Sequence, residues 1–127
     1  MLIDVYADDE PNSEYTPRHI QLSGYQQMVR SEIIRGRFRN SYENPEPFAP
    51  GKVTSVTLPL QDVLHTFKRQ RRVMVQVQST WFPLFDRNPQ KYVDNIFEAS
   101  AGDFIKATHR VYHSPRYASF LEMKVLR

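Results

Sequence analysis

The sequence predicts an all-β domain, an antiparallel sandwich or jelly roll. Three observations carry this. Several short segments alternate in polarity with the period of two that a half-buried strand requires. Prolines and turn residues cut the chain into pieces too short for most helices, with nine prolines in 127 residues. Few stretches show helical periodicity.

The elements follow in order. Residues 2–6 alternate, Ile3 and Val5 opposing Asp4, and form the first predicted strand. It begins at the second residue, with nothing ahead of it to serve as a neighbour. Residues 7–18 are polar, contain two prolines and read as loop. Residues 25–39 are ambiguous: Val29 and Ile33 fit a helix, whereas Ile34, Gly36 and Phe38 fit a strand. The β-branched pair Ile33-Ile34 and Gly36 favour a strand with a bulge. Residues 40–52, with three prolines and a glycine, form an extended connector. Val53 to Leu60 is a predicted strand with Val56, Leu58 and Leu60 inward, and Gln61 to Phe67 a short helical turn. Val73 to Ser79 is the clearest strand, with Val73, Val75 and Val77 on its core side. After an aromatic loop, residues 90–104 are irregular, and 105–113 and 120–126 alternate as two more strands.

The length fits one domain, 1–127, able to bury a core. There are no cysteines, so disulfide and thiolate chemistry are excluded. No run approaches the roughly 20 apolar residues of a membrane span. Leu2–Tyr6 lacks the basic and apolar regions of a signal peptide, so a soluble chain is expected, with no assigned compartment. Net charge is +3, and the densest basic run is Lys68-Arg69-Gln70-Arg71-Arg72. That run reads as a solvated turn. No aromatic residue is interleaved with it for base stacking, so no nucleic-acid partner is expected.

A search for chemistry returns little. His109 and His113 would stand about 13 Å apart on a strand, too far to share a metal ion. His19 and His65 read as surface or hydrogen-bonding histidines. Glycines at 24, 36, 51 and 102 cannot write a Gly-x-Ser-x-Gly nucleophile turn, and no phosphate or dinucleotide loop is present. Asp8-Asp9-Glu10 lies beside a proline and reads as solvated surface. No catalytic, cofactor-binding or metal-ligating set is expected. The remaining feature is Ser79–Gln90, STWFPLFDRNPQ, which brings Trp81, Phe82, Leu84 and Phe85 together before a turn. Pro83, lacking an amide hydrogen, should end strand pairing there. Asp86 and Asn88 suit the turn, and Arg87 could pair with a carboxylate. The cluster could be a docking surface, a core plug, a pocket wall or a sugar platform.

Several pieces are specific when taken together: LIDVYADD (2–9), GYQ (24–26), RGRFRNS (35–41), PEPFAPGKVT (45–54), HTF (65–67), VMVQVQSTWFPLFDRNPQ (73–90) and ATHRVYHSP (107–115). With them the chain resembles the C-terminal non-catalytic domain of X-Pro dipeptidyl-peptidase-like serine hydrolases. That group takes in α-amino acid ester hydrolases, cocaine esterase and glutaryl acylases. The resemblance implies a jelly roll of the galactose-binding-like kind, packed against an α/β-hydrolase domain that holds the Ser, Asp and His of the triad. None of those three maps onto this chain. Trp81, Phe82, Leu84, Phe85, Asp86 and Arg87 then become candidate interdomain residues. Two departures stand out. Relatives have Gly-His where Gln70-Arg71 stand here, and they carry strands upstream of the segment resembling Leu2–Tyr6. The expectation is a domain lacking its first strands, inactive alone, whose open edges favour a homodimer. The alternative is a stand-alone jelly-roll module binding carbohydrate or protein.

Overall fold

The structure, a computed structural model, describes residues 1–126. The chain forms two compact units, Met1–Gln78 and Ser79–Arg127. Among the described residues the regular elements are three β-strands and three single 3₁₀ turns, with no α-helix.

In the first unit, β1 (Leu2–Val5), β2 (Gln26–Arg30) and β3 (Arg72–Val75) make an antiparallel sheet in the order β2-β1-β3. The strand expected to lack a neighbour is therefore the central one, because both of its partners come from later in the chain. Leu2, Ile3, Asp4 and Val5 are all buried, as a strand with both edges paired and both faces covered must be. Opposed pairs share a face, so Leu2 and Asp4 lie beside Val75 and Val73, while Ile3 and Val5 lie beside Met74 and Arg72. The β1–β2 ladder slips between Leu2 and Ile3, which face Arg30 and Met28 and leave Val29 as the extra residue.

Four expectations need correction. The strand over 25–39 covers only Gln26–Arg30, and Gly36 opens a 3₁₀ turn instead. A Cβ at position 36 would collide with the Phe48 ring, which accounts for glycine there. Val73–Ser79 pairs only as far as Gln76, whose amide reaches Met1 O at 2.9 Å. It is an edge strand rather than a central one, and Val75 is 53% exposed, not core. Residues 53–60, 105–113 and 120–126 carry no strand assignment. Alternation marks a chain able to be amphipathic when extended, but a strand exists only where neighbouring amides and carbonyls are paired. Finally, 61–67 is not helical. It is a strap over the Asp4 face, tied by Arg30 Nη2 donating to Asp62 O at 2.6 Å and by His65 hydrogen-bonded to Asp4.

The connector is held from one side. Arg39 stacks on Phe48 at 4.4 Å and donates to the carbonyls of Glu46 and Pro47 at 2.8 and 3.1 Å. In the second unit Asn88 closes the aromatic loop, donating to Ser79 O at 2.7 Å and accepting from Gln90 N at 3.0 Å. Further along, Asp103 accepts from Lys91 Nζ at 2.5 Å and from the amide and hydroxyl of Ser100 at 2.8 and 2.9 Å. These donors, led by Lys91, lower the Asp103 pKa from 3.8 to about 2.

Because the folded-state value lies below the ordinary one, the clasp stabilises this unit above about pH 4 and is lost as pH falls towards 2. The expected result is that Asp103→Asn lowers the melting temperature at pH 6 and that the gap to wild type closes by pH 2. A gap independent of pH would disprove the assignment.

Candidate functional site

The candidate site is centred on Asp4. It is fully buried in the middle of β1, where an isolated carboxylate would be costly. Its Oδ2 receives Arg71 Nη1 at 3.1 Å and lies 2.9 Å from His65 Nε2. Arg71 is itself only 5% exposed and uses its other terminal nitrogen on Glu10 Oε1, 2.5 Å away. Its guanidinium also lies 3.3 Å from the centre of the Tyr6 ring, whose hydroxyl donates to Gln27 Oε1 at 2.6 Å. The bond to Glu10, and less strongly that to Asp4, raises the Arg71 pKa against the opposing effect of burial.

Sequence reasoning missed this cluster. Arg71 was expected in a solvated basic turn and Glu10 in a solvated acidic loop. The structure puts Arg71 inside and pairs Glu10 with it, while Arg72 stays outside and meets Asp8 at 3.2 Å. The readable signal was an acid flanked by Leu2, Ile3 and Val5, which places a charge at the centre of an apolar strand. Gln70 has φ of 71°, a left-handed conformation costly for a residue with a side chain. The turn over 68–71 is thus made without a glycine.

The aromatic loop is arranged differently. Phe85 N donates to Trp81 O at 3.0 Å, and the two rings lie 5.9 Å apart at 35°. Phe82 and Leu84 are 64% and 67% exposed. Arg87 sits over the Phe104 ring at 4.7 Å, and Asp86 is engaged within the structure. The loop therefore brings four of the six candidate residues into an apolar tip, held by Asn88 at its base. His109 bonds the Gln90 side chain, which in turn donates to the Ser79 hydroxyl at 3.3 Å, and His65 bonds Asp4. Among the described residues no three potential metal ligands are grouped.

The family of the X-Pro dipeptidyl-peptidase C-terminal non-catalytic domain matches residues 1–122. The chain belongs to that family. Similar solved structures include an α-amino acid ester hydrolase, 45% identical over 91% of this chain and 18% of that one, with a TM-score of 0.80. Another is an aminopeptidase from the marine sediment archaeon Thaumarchaeota archaeon, 46% identical over 81% of this chain and 16% of that one, with a TM-score of 0.70. Cocaine esterase from Rhodococcus sp. (strain MB1 Bresler) is 26% identical over 95 residues, 75% of this chain and 16% of the esterase. The chain thus spans less than a fifth of the length of these relatives. Membership agrees with the all-β architecture.

Removing the Arg71 guanidinium strands two carboxylates, one of them fully buried. Arg71→Met should cost about 3 kcal/mol or more, whereas Arg72→Met, on an exposed pair, should cost about 0–1 kcal/mol. Urea melts of the two variants compare them directly. Equal losses would mean that the buried cluster does not hold the sheet.

Proposed function

We propose that this chain is the accessory domain of a serine hydrolase that cleaves ester or amide bonds in small acyl or peptide substrates. In this reading residues 1–127 act as one jelly-roll domain. It packs against an α/β-hydrolase domain and supports it, without contributing to the acyl transfer. The family match over residues 1–122 carries the reading. The hydrolytic activities named for its relatives are consistent with it.

The proposed docking surface is the apolar tip of Trp81, Phe82, Leu84 and Phe85, with Asp86 and Arg87 beside it. Large side chains exposed together in one loop favour a protein contact over solvent. A sugar platform would need polar groups turned outward beside the rings. Asn88 and Gln90 instead spend their side chains on Ser79, the loop backbone and His109. When the hydrolase domain is absent, the tip and the open outer edges of β2 and β3 favour self-association, most simply as a two-fold dimer.

The chain alone should not hydrolyse p-nitrophenyl esters or Xaa-Pro amides above background, and a fluorophosphonate probe should label none of its serines. Stoichiometric labelling of a single serine would overturn the non-catalytic reading. For the docking surface, sedimentation at micromolar concentration should show a dimer. Trp81→Ser and Phe85→Ser should each weaken that dimer about tenfold or more, as central aromatic residues of an interface do. A clean monomer, or an unaffected dimer, would remove the tip from the interface.

A further inference from the structure

A groove of about 430 Å³ lies in the first unit between the segment leaving β2 and the segment leading into the strap. That volume falls within the roughly 300–1,000 Å³ of small-ligand clefts. Its walls are aliphatic, with Ile33 and Ile34 from one segment and Leu58, Pro59 and Leu60 from the other. Among the described residues its polar lining consists of Glu32, Tyr42 and Gln61, with no lysine, arginine or histidine. Glu32 Oε1 accepts from the amide of Ile33 at 2.9 Å, which fixes the carboxylate where the aliphatic wall begins. The Tyr42 ring is held by stacking on Phe38, 6.2 Å away at 28°.

We infer that this groove is a binding site for an aliphatic ammonium, a short branched alkyl chain carrying a protonated primary amine. The alkyl part would lie against Ile33, Ile34 and Leu58. The ammonium has three donors and no acceptor, which suits a carboxylate together with the Gln61 side-chain carbonyl or the Tyr42 hydroxyl. An anion of the same shape is repelled by Glu32, and a neutral alcohol forgoes the charge-assisted bond. The inference rests on these lining residues and stands apart from the hydrolase reading above.

The test is an amide chemical-shift titration of the full chain with isopentylammonium at pH 7, alongside isopentanol and isovalerate. Saturable shifts are expected at Glu32–Ile34 and at Leu58, Leu60 and Gln61, with binding about tenfold weaker for the alcohol and none for the carboxylate. Glu32→Gln, which keeps an acceptor for the Ile33 amide, should weaken ammonium binding by a similar factor. Leu58→Lys, which sets an ammonium of the chain's own in the groove, should abolish it. The site is refuted if nothing saturates up to about 50 mM, a range far weaker than the millimolar binding that corresponds to about −4 kcal/mol. It is equally refuted if the shifts map elsewhere or the alcohol binds as well as the ammonium. The comparison of ligands on the wild-type chain decides the matter even where a variant does not fold.

Discussion

The first unit is organised around the burial of one carboxylate. Asp4 sits in the strand that both other strands need, and a charge there is tolerable only if compensated. Arg71 and His65 meet it from segments more than 60 residues away in sequence. Each then fixes more than itself. Through Arg71, Glu10 and Tyr6 are drawn in and the loop after β1 is tied down. Through His65, the strap 61–67 is laid over the sheet, with Arg30 securing it three residues earlier at Asp62 O. The left-handed Gln70 belongs to the same constraint. The turn closes with Arg71 N bonded to Lys68 O at 3.2 Å, setting Arg71 one residue before β3, where its side chain lies beside Asp4.

This explains which parts of the fold were legible in the sequence. Leu2–Val5 could be read as a strand because alternation and β-branching agree there, and the loop after it because prolines and acids leave no alternative. Asn88 could be assigned to the aromatic turn because short amides bond their own backbone. What could not be read was pairing. Val73, Val75 and Val77 alternate as well as any buried strand, yet β3 is an edge, and nothing local distinguishes an edge from a centre. The same holds for 53–60, whose leucines line a groove instead of filling a sheet. The charge cluster was hidden for another reason. Its members are scattered over positions 4, 10, 65 and 71, and each has an ordinary surface explanation when taken alone. Only the apolar neighbours of Asp4 argued otherwise.

The two units hold themselves by different means. The first relies on a buried, mutually dependent set of charges, so that loss of one member leaves the others uncompensated. The second relies on short-range side chain–backbone bonds (Asn88 within its loop, Asn95 capping Phe97, Asp103 receiving the Ser100 amide) and on the ion pair of Asp103 with Lys91. Local bonds of this kind fix turns without burying much surface. They can present an apolar tip such as Trp81–Phe85 in a defined shape while leaving it in water.

That contrast bears on how a domain without chemistry can matter to an enzyme. The hydrophobic residues buried in the first sheet are Leu2, Ile3 and Val5, whereas many other apolar side chains, including Phe82, Leu84, Val77 and Phe120, are exposed. Burial of apolar surface is the main favourable term in folding, so a chain that buries little of it alone has much still to gain on contact. On the proposed reading that gain is realised against the hydrolase domain. Anything that binds only the folded form stabilises it, and the coupling acts in both directions. The charge cluster would then specify which fold is presented, and the apolar tip would supply the affinity. In such an arrangement the accessory domain influences catalysis by the stability it lends its neighbour, with no residue of its own touching the substrate.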